Sequence, residues 1–222
     1  MNDLVGQSGL GPVSRESTAS IIARQLRNAI TQGILTPGTQ LGETELANRL
    51  KVSRGPLREA MQRLVQEGLL RSEHNRGLFV IELDADDVRD IYLARSAIER
   101  AAVATICERD PAGTARRLEK AHRPMVTAAR RGDLKALSDA DLAFHQLLVE
   151  ESGSPRLRRM HDTLLVETRM CIAALEQTCQ VPEATVSEHG AMVEAIRDRD
   201  LERLDKLITA HTNDALSRLA PG

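Results

Sequence analysis

Long apolar runs and paired cysteines are both missing from this sequence of 222 residues. No apolar run approaches the roughly 20 residues that a membrane-spanning helix needs. The opening MNDLVGQSGLGPVSRES has neither a basic n-region nor an apolar h-region, so no secretory leader is expected. The expectation is a cytoplasmic protein with no membrane partner. Cys107, Cys171 and Cys179 are odd in number and show no C-x-x-C spacing, which indicates neither a disulfide framework nor a cysteine zinc site. They read as small core or surface residues.

What is present is ordinary globular material, 41% hydrophobic and 28% charged, enough for one large domain or two small ones. The formal net charge of −2 hides a division along the chain. Residues 15–83 hold ten Lys and Arg against seven Asp and Glu, a balance of +3, and residues 84–222 hold twenty against twenty-four, a balance of −4. A mildly basic front half on an acidic back half fits one part that faces nucleic acid and one that does not.

Residues 1–14 are rich in Gly, Ser and Pro without periodicity and read as a disordered tail. Ile21, Ile22, Leu26, Ala29 and Ile30 recur at helical spacing, predicting a helix from about Ser17 to Gln32 that Gly33 stops. ETELANRL at 43–50 predicts a short amphipathic helix. A second follows Ser53, with Leu57, Ala60, Met61, Leu64 and Val65 inward and Gly68 as its stop. Two helices joined by a tight turn make a helix-turn-helix candidate, and LLRSEH and GLFVIEL predict two strands joined at Asn75-Arg76-Gly77, a hairpin wing. From Asp84 onward six helices are predicted: 84–109, 112–131, 134–152, 156–178, 183–198 and 200–219, with Pro124 expected to kink or break the second. The fold class is mainly α, a winged helix-turn-helix over 15–83 followed by an all-α six-helix bundle over 84–222.

In VSRGPLREAMQRL the apolar positions face inward, which leaves Arg54, Arg58 and Arg63 on or beside the exposed side. Arg54 and Arg58 fall in the first turns, the part of a recognition helix that meets base edges in the major groove. From about Ser20 to Ile81, including GILTPGTQLGETELANRLKVSRGPLREAMQRLVQEGLLRSEHNRGLFV, the chain resembles the winged helix-turn-helix domain of GntR-family bacterial transcription regulators. The resemblance implies base contacts by Arg54 and Arg58, backbone phosphate contacts by Thr44 and Ser53, and a wing glycine, Gly77, that approaches the minor groove; Arg63 and Arg76 join these as DNA-binding candidates. Thr44 stands where some members carry arginine, and the wing has His74-Asn75.

The bundle half carries polar residues on apolar faces. Asp141 and His145 in DLAFHQLLVE are an i, i+4 pair beside Phe144 and Leu148, and His189 and His211 share the apolar sides of their own helices. Three imidazoles and a carboxylate meeting in a bundle core would make a divalent-metal site, but His122 and His161 also fit apolar stripes, and periodicity does not choose among them. Residues 84–219 resemble the FCD ligand-binding domain of the FadR subfamily, the six-helix count pointing to its VanR-like branch, and DLAFH matches a D-x-x-x-H metal motif. That resemblance implies Asp141, His145, His189 and His211 as ligands of a divalent metal, zinc first, with nickel, manganese or another ion as alternatives. Arg95 lies on the line Val88, Ile91, Arg95, Ile98, Ala102, so its guanidinium enters the bundle, where it either pairs with Glu99 or a neighbouring helix or binds a carboxylate. In the resembling family this arginine faces an effector pocket.

The expected function is a homodimeric, ligand-responsive transcription regulator, a repressor by the resemblance, on a near-palindromic double-stranded operator. Its effector is a small organic acid held by Arg95 and the metal. Two alternatives stand beside this reading, a metal-dependent hydrolase and a regulator whose metal only staples helices together. No general base or nucleophile stands beside the ligands in sequence, and no enzyme needs the winged half.

Overall fold

A computed structural model describes residues 16–174 and 182–219. The expected tail over 1–14 lies outside the described residues, as do Cys179 and the predicted end of the 156–178 helix. No described helix is long and apolar enough to cross a membrane.

The front half follows its pattern closely. Helix α1 (Thr18–Thr31) starts at Ser17, whose side chain accepts from the Ser20 amide, and buries Ile22, Leu26 and Ile30. Ile21 instead stays 37% exposed, one position off that stripe. Helices α2 (Glu43–Leu50) and α3 (Arg54–Gln66) are joined through Lys51 in the left-handed conformation, and α3 buries Leu57, Ala60, Met61 and Leu64. Strands β2 (Leu70–Glu73) and β3 (Gly77–Val80) pair antiparallel, Leu70 opposite Val80 and Glu73 opposite Gly77. At the wing tip Asn75 and Gly77 take positive φ, 59° and 99°, and the second of these suits only glycine. A third strand, β1 (Gln40–Leu41), pairs with β3 and completes a sheet of order β1-β3-β2. Strand β1 is absent from the elements that the sequence predicts, because two residues carry no alternation to detect.

The back half is helical throughout its described residues: α4 (Ala85–Arg109), α5 (Pro111–Arg131), α6 (Leu134–Glu151), α7 (Pro155–Ala174), α8 (Pro182–Asp198) and α9 (Leu201–Leu219). Their ends sit where local chemistry puts them. Asp84 caps α4 reciprocally with Asp87, a capping box that satisfies otherwise orphaned amides. Asp110 caps α5 ahead of Pro111, Gly132 ends it at φ 66°, and Asp133 caps α6. The break expected at Pro124 does not occur. Helix α5 runs on through it, held on either side by the buried Leu118, Met125 and Ala128.

Two main apolar clusters form. Phe144, Leu118, Met125, Leu148, Ile196 and Leu204 are among the fully buried side chains of the bundle. Each large side chain removed from water contributes about 1.5–3 kcal/mol. The front-half cluster gathers Ile22, Leu26, Ile30, Leu57, Leu64, Leu69 and Val80, and α7 adds Met170 to it, with Val166 packed alongside. One bundle helix therefore helps to build the core under the winged half.

Candidate functional site

On the winged half, Arg54 and Arg58 stand exposed in the first turns of α3, as the helical spacing requires. Arg54 reaches Thr44 Oγ1 at 3.4 Å and Arg58 Nε donates to Glu43 Oε1 at 2.6 Å, both across to α2. These exposed pairs are weak holds that an incoming phosphate or guanine can replace. Ser53 sits at the N-cap of α3 without making a side-chain cap bond, which leaves its hydroxyl for another acceptor. In the wing, Arg76 is exposed over the Phe79 ring and bonds Glu73, beside Gly77. Arg63 is placed differently. Half-buried, it donates to Ser20 Oγ on α1 at 2.9 Å and to Glu59, so its guanidinium braces α3 against α1 instead of joining the exposed set.

Inside the bundle, Asp141 and His145 from α6, His189 from α8 and His211 from α9 come together, with one ligand atom of each within 4.8 Å of all the others. His145 Nε2 lies 3.1 Å from His189 Nε2 and 3.2 Å from His211 Nε2, and Asp141 Oδ1 lies 3.0 Å from His189 Nε2. All three imidazoles are buried. What makes this a donor set is the far side of each ring. His189 Nδ1 meets the Thr185 carbonyl at 2.7 Å, and His211 Nδ1 meets Glu188 Oε2 at 3.2 Å. His145 Nδ1 lies 3.0 Å from Glu99 Oε1, a distance within hydrogen-bond reach at an angle that falls short of one, so the contact is chiefly electrostatic. Each outer partner is an acceptor, which places the proton on Nδ1 and turns the Nε2 lone pair inward. Three lone pairs and a carboxylate oxygen without a hydrogen-bond donor then face one another, an arrangement that repels itself unless a cation or proton lies between. The residues present fit a divalent metal of the N,O type.

The electrostatics agree. Burial lowers the His145 pKa to about 3, keeping a neutral ring. Burial would raise the Asp141 carboxyl, but the close approach of His189, with the His145 and His211 rings beyond it, outweighs this and holds it far below the usual range. Burial lowers the His189 pKa, and Asp141 more than reverses this. A proton and a metal ion thus compete for the same place between the two side chains.

Arg95 enters the bundle as predicted, 3% exposed, and both of its expected roles are present in part. Its Nε donates to Glu99 Oε1 at 2.7 Å, while Nη2 has no partner. Its guanidinium stands 5.5 Å from the ring centre of Tyr92, the one tyrosine of a chain without tryptophan. Glu99 also faces His161 Nε2 at 3.2 Å. Burial would raise the Glu99 carboxyl, yet the His145 imidazole facing it and the Arg95 guanidinium hold it well below the usual range. In the sequence Glu99 shows only as a salt-bridge partner for Arg95, and His161 as one of several histidines that fit apolar stripes. His122 contacts the Val186 carbonyl at 2.8 Å and lies apart from the ligand set. Cys107 and Cys171 are buried free thiols.

Comparison with known proteins gives this arrangement its setting. Residues 90–214 match the FCD domain, and residues 18–80 match the bacterial regulatory proteins of the gntR family. An HTH-type transcriptional regulator in the TAR-I ttuE-ttuC' intergenic region of Agrobacterium vitis is 35% identical over 152 residues, 67% of this chain and 86% of that protein. The HTH-type transcriptional repressor RspR of Escherichia coli is 27% identical over 193 residues, 87% of this chain and 85% of that one. A solved GntR transcriptional regulator from Rhodococcus sp. RHA1 is similar at a TM-score of 0.79 and 27% identity, covering 92% of this chain and 98% of that chain. The winged front half, the helical bundle behind it and these matches agree: the chain belongs to the GntR family of bacterial transcription regulators, a DNA-binding protein and not an enzyme, with an FCD domain as its C-terminal part.

Proposed function

We propose that this regulator is a homodimeric repressor of the VanR-like branch of the FadR subfamily, working in the cytoplasm on a near-palindromic operator. Residues 15–83 would bind the DNA, with Arg54 and Arg58 on base edges, Thr44, Ser53 and Arg76 on the backbone, and Gly77 carrying the wing close to the minor groove. Arg63 contributes by fixing α3 on α1. Residues 84–222 would pair the subunits and bind a small carboxylate effector. Repression is supported by the role that the RspR name states for that relative.

The observation that carries the sensing half is the inward convergence of three Nε2 atoms and Asp141 Oδ1, with His189 and His211 anchored through Nδ1 to acceptors and His145 Nδ1 facing Glu99. Asp141, His145, His189 and His211 would hold the ion, zinc ahead of nickel or manganese. A bound divalent ion supplies concentrated positive charge and coordination positions beyond these four ligands for a carboxylate oxygen. Arg95 Nη2, buried and unpaired, supplies a directional hydrogen bond to the same carboxylate.

Helix α7 offers the route to the DNA-binding half. It carries His161 into the polar cluster around Glu99 and sets Val166 and Met170 into the core beneath α1 and α3. A small shift of α7 on effector binding would then favour one placement of the winged half over another, through a coupling energy of typically about 1–3 kcal/mol. The test is elemental analysis of the purified protein together with operator titrations, before and after chelation, with and without a panel of small organic acids. About one metal per chain and an acid response that chelation abolishes are expected. A metal-free protein with an undiminished response would sink the metal-assisted reading and return Asp141 and its three histidines to a polar core network.

A further inference from the structure

One oxygen, Glu99 Oε1, organises a second polar group beside the metal ligands. It accepts from Arg95 Nε at 2.7 Å, faces His161 Nε2 at 3.2 Å and lies 3.0 Å from His145 Nδ1. Arg95 and Glu99 are each 3% exposed and His161 is 1% exposed. Two polar atoms in this group have no protein partner, Arg95 Nη2 and His161 Nδ1. Polar atoms buried this deeply are costly to leave unmatched, and a ligand that enters beside the metal is bound best when it satisfies both.

The two atoms ask for opposite things. A guanidinium nitrogen can only donate, so Arg95 Nη2 requires an oxygen lone pair. His161 Nε2 faces a carboxylate oxygen that already accepts from Arg95, so that ring nitrogen carries the proton. In the neutral ring Nδ1 is therefore an acceptor and requires an O–H or N–H from the ligand. A plain carboxylate has no such proton to give. An amino acid has one, but its ammonium group would add positive charge next to a buried guanidinium whose paired counter-charge is the single carboxylate of Glu99. A hydroxyl donates without adding charge.

Resting on the reading of Arg95 as the carboxylate partner, we propose that His161 is the specificity-determining residue of the site and that the effector is a hydroxy acid. Its carboxylate lies on Arg95 Nη2 and its hydroxyl donates to His161 Nδ1.

Isothermal titration of the full-length, metal-loaded protein tests this with matched sets of ligands: malate, succinate and aspartate, then 2-hydroxybutyrate, butyrate and 2-aminobutyrate. In at least one set the hydroxy acid should bind about tenfold or more tightly than its deoxy and amino counterparts. His161→Leu should remove that preference while keeping the weaker carboxylate binding. Two further variants separate the ring nitrogens even if the Leu variant fails to fold. His161→Asn keeps an acceptor near the Nδ1 position and should retain a preference, whereas His161→Gln keeps a donor near the Nε2 position and should lose it. Equal binding of hydroxy and deoxy acids, or a preference that survives in the Gln variant and vanishes in the Asn variant, overturns the inference and leaves the carboxylate site standing. Binding of no acid in either set, or binding that Arg95→Met does not weaken, overturns the carboxylate reading and this inference with it.

Discussion

Glu99→Gln exchanges a carboxylate for an amide of the same shape at the point where Arg95 Nε, His145 Nδ1 and His161 Nε2 lie 2.7, 3.0 and 3.2 Å from one oxygen. Both partners of the Arg95–Glu99 pair are 3% exposed, so solvent screens the lost interaction very little. Removing one member of such a buried pair costs about 3–5 kcal/mol, because the remaining charge stays buried without compensation. For a chain of this size each kcal/mol lowers Tm by about 2–4 °C, so thermal unfolding should come about 6–20 °C earlier. His145 also loses the acceptor that turns its Nε2 lone pair toward the other ligands, and metal affinity measured by competition with a chelator should fall by about 10–100-fold. The double variant Arg95→Met/Glu99→Leu removes both charges and should regain most of the lost Tm without regaining the acid response. A single variant within about 2 °C of the parent, with undiminished metal affinity, would refute the placement of Glu99 as the hub of the site.

Three further outcomes are expected. Arg54→Ala and Arg58→Ala should each weaken binding to the specific operator by about tenfold or more while leaving Tm and metal content unchanged; discrimination that survives both, read by fluorescence anisotropy against scrambled DNA, would displace α3 as the reading helix. His189→Ala removes a proposed ligand that contacts both Asp141 and His145, so metal per chain should drop well below that of the parent, and an unaltered stoichiometry by elemental analysis would take His189 out of the ligand set. Met170→Ala empties part of the core shared by α7 and the winged half and should cost about 2–5 kcal/mol in denaturant titrations. It should also blunt the operator response to acid, and a response of full size would rule out α7 as the transmitting element.

The parts of this protein that were legible in the sequence are those written in local chemistry. Pro111, Gly132-Asp133, Gly153-Ser154-Pro155 and Asp84 mark helix ends because caps and left-handed turns depend on a few adjacent residues. The line Val88, Ile91, Arg95, Ile98, Ala102 is buried throughout, as one helical face should be. Asp141 and His145 share a face by i, i+4 spacing, but their meeting with α8 and α9 is tertiary, and only the family resemblance chose His189 and His211 over His122 and His161. What escaped depends on partners distant in the chain. Strand β1 exists because β3 offers it an edge, Arg63 turns to Ser20 43 positions away, and Glu99 meets His161 62 positions away. Pro124 does not break α5, for the related reason that packing on both sides outweighs one missing amide.

The stacking of Arg95 near Tyr92 has a practical consequence. Because the chain has no tryptophan and one tyrosine, the protein's intrinsic emission comes from a single ring, itself buried among Val88, Ile91, Cys171 and Ala215. That ring stands beside the guanidinium that would greet an incoming acid. The regulator therefore carries its own optical reporter beside the proposed effector site, and occupancy of that site would be followed without a dye, an engineered label or the DNA.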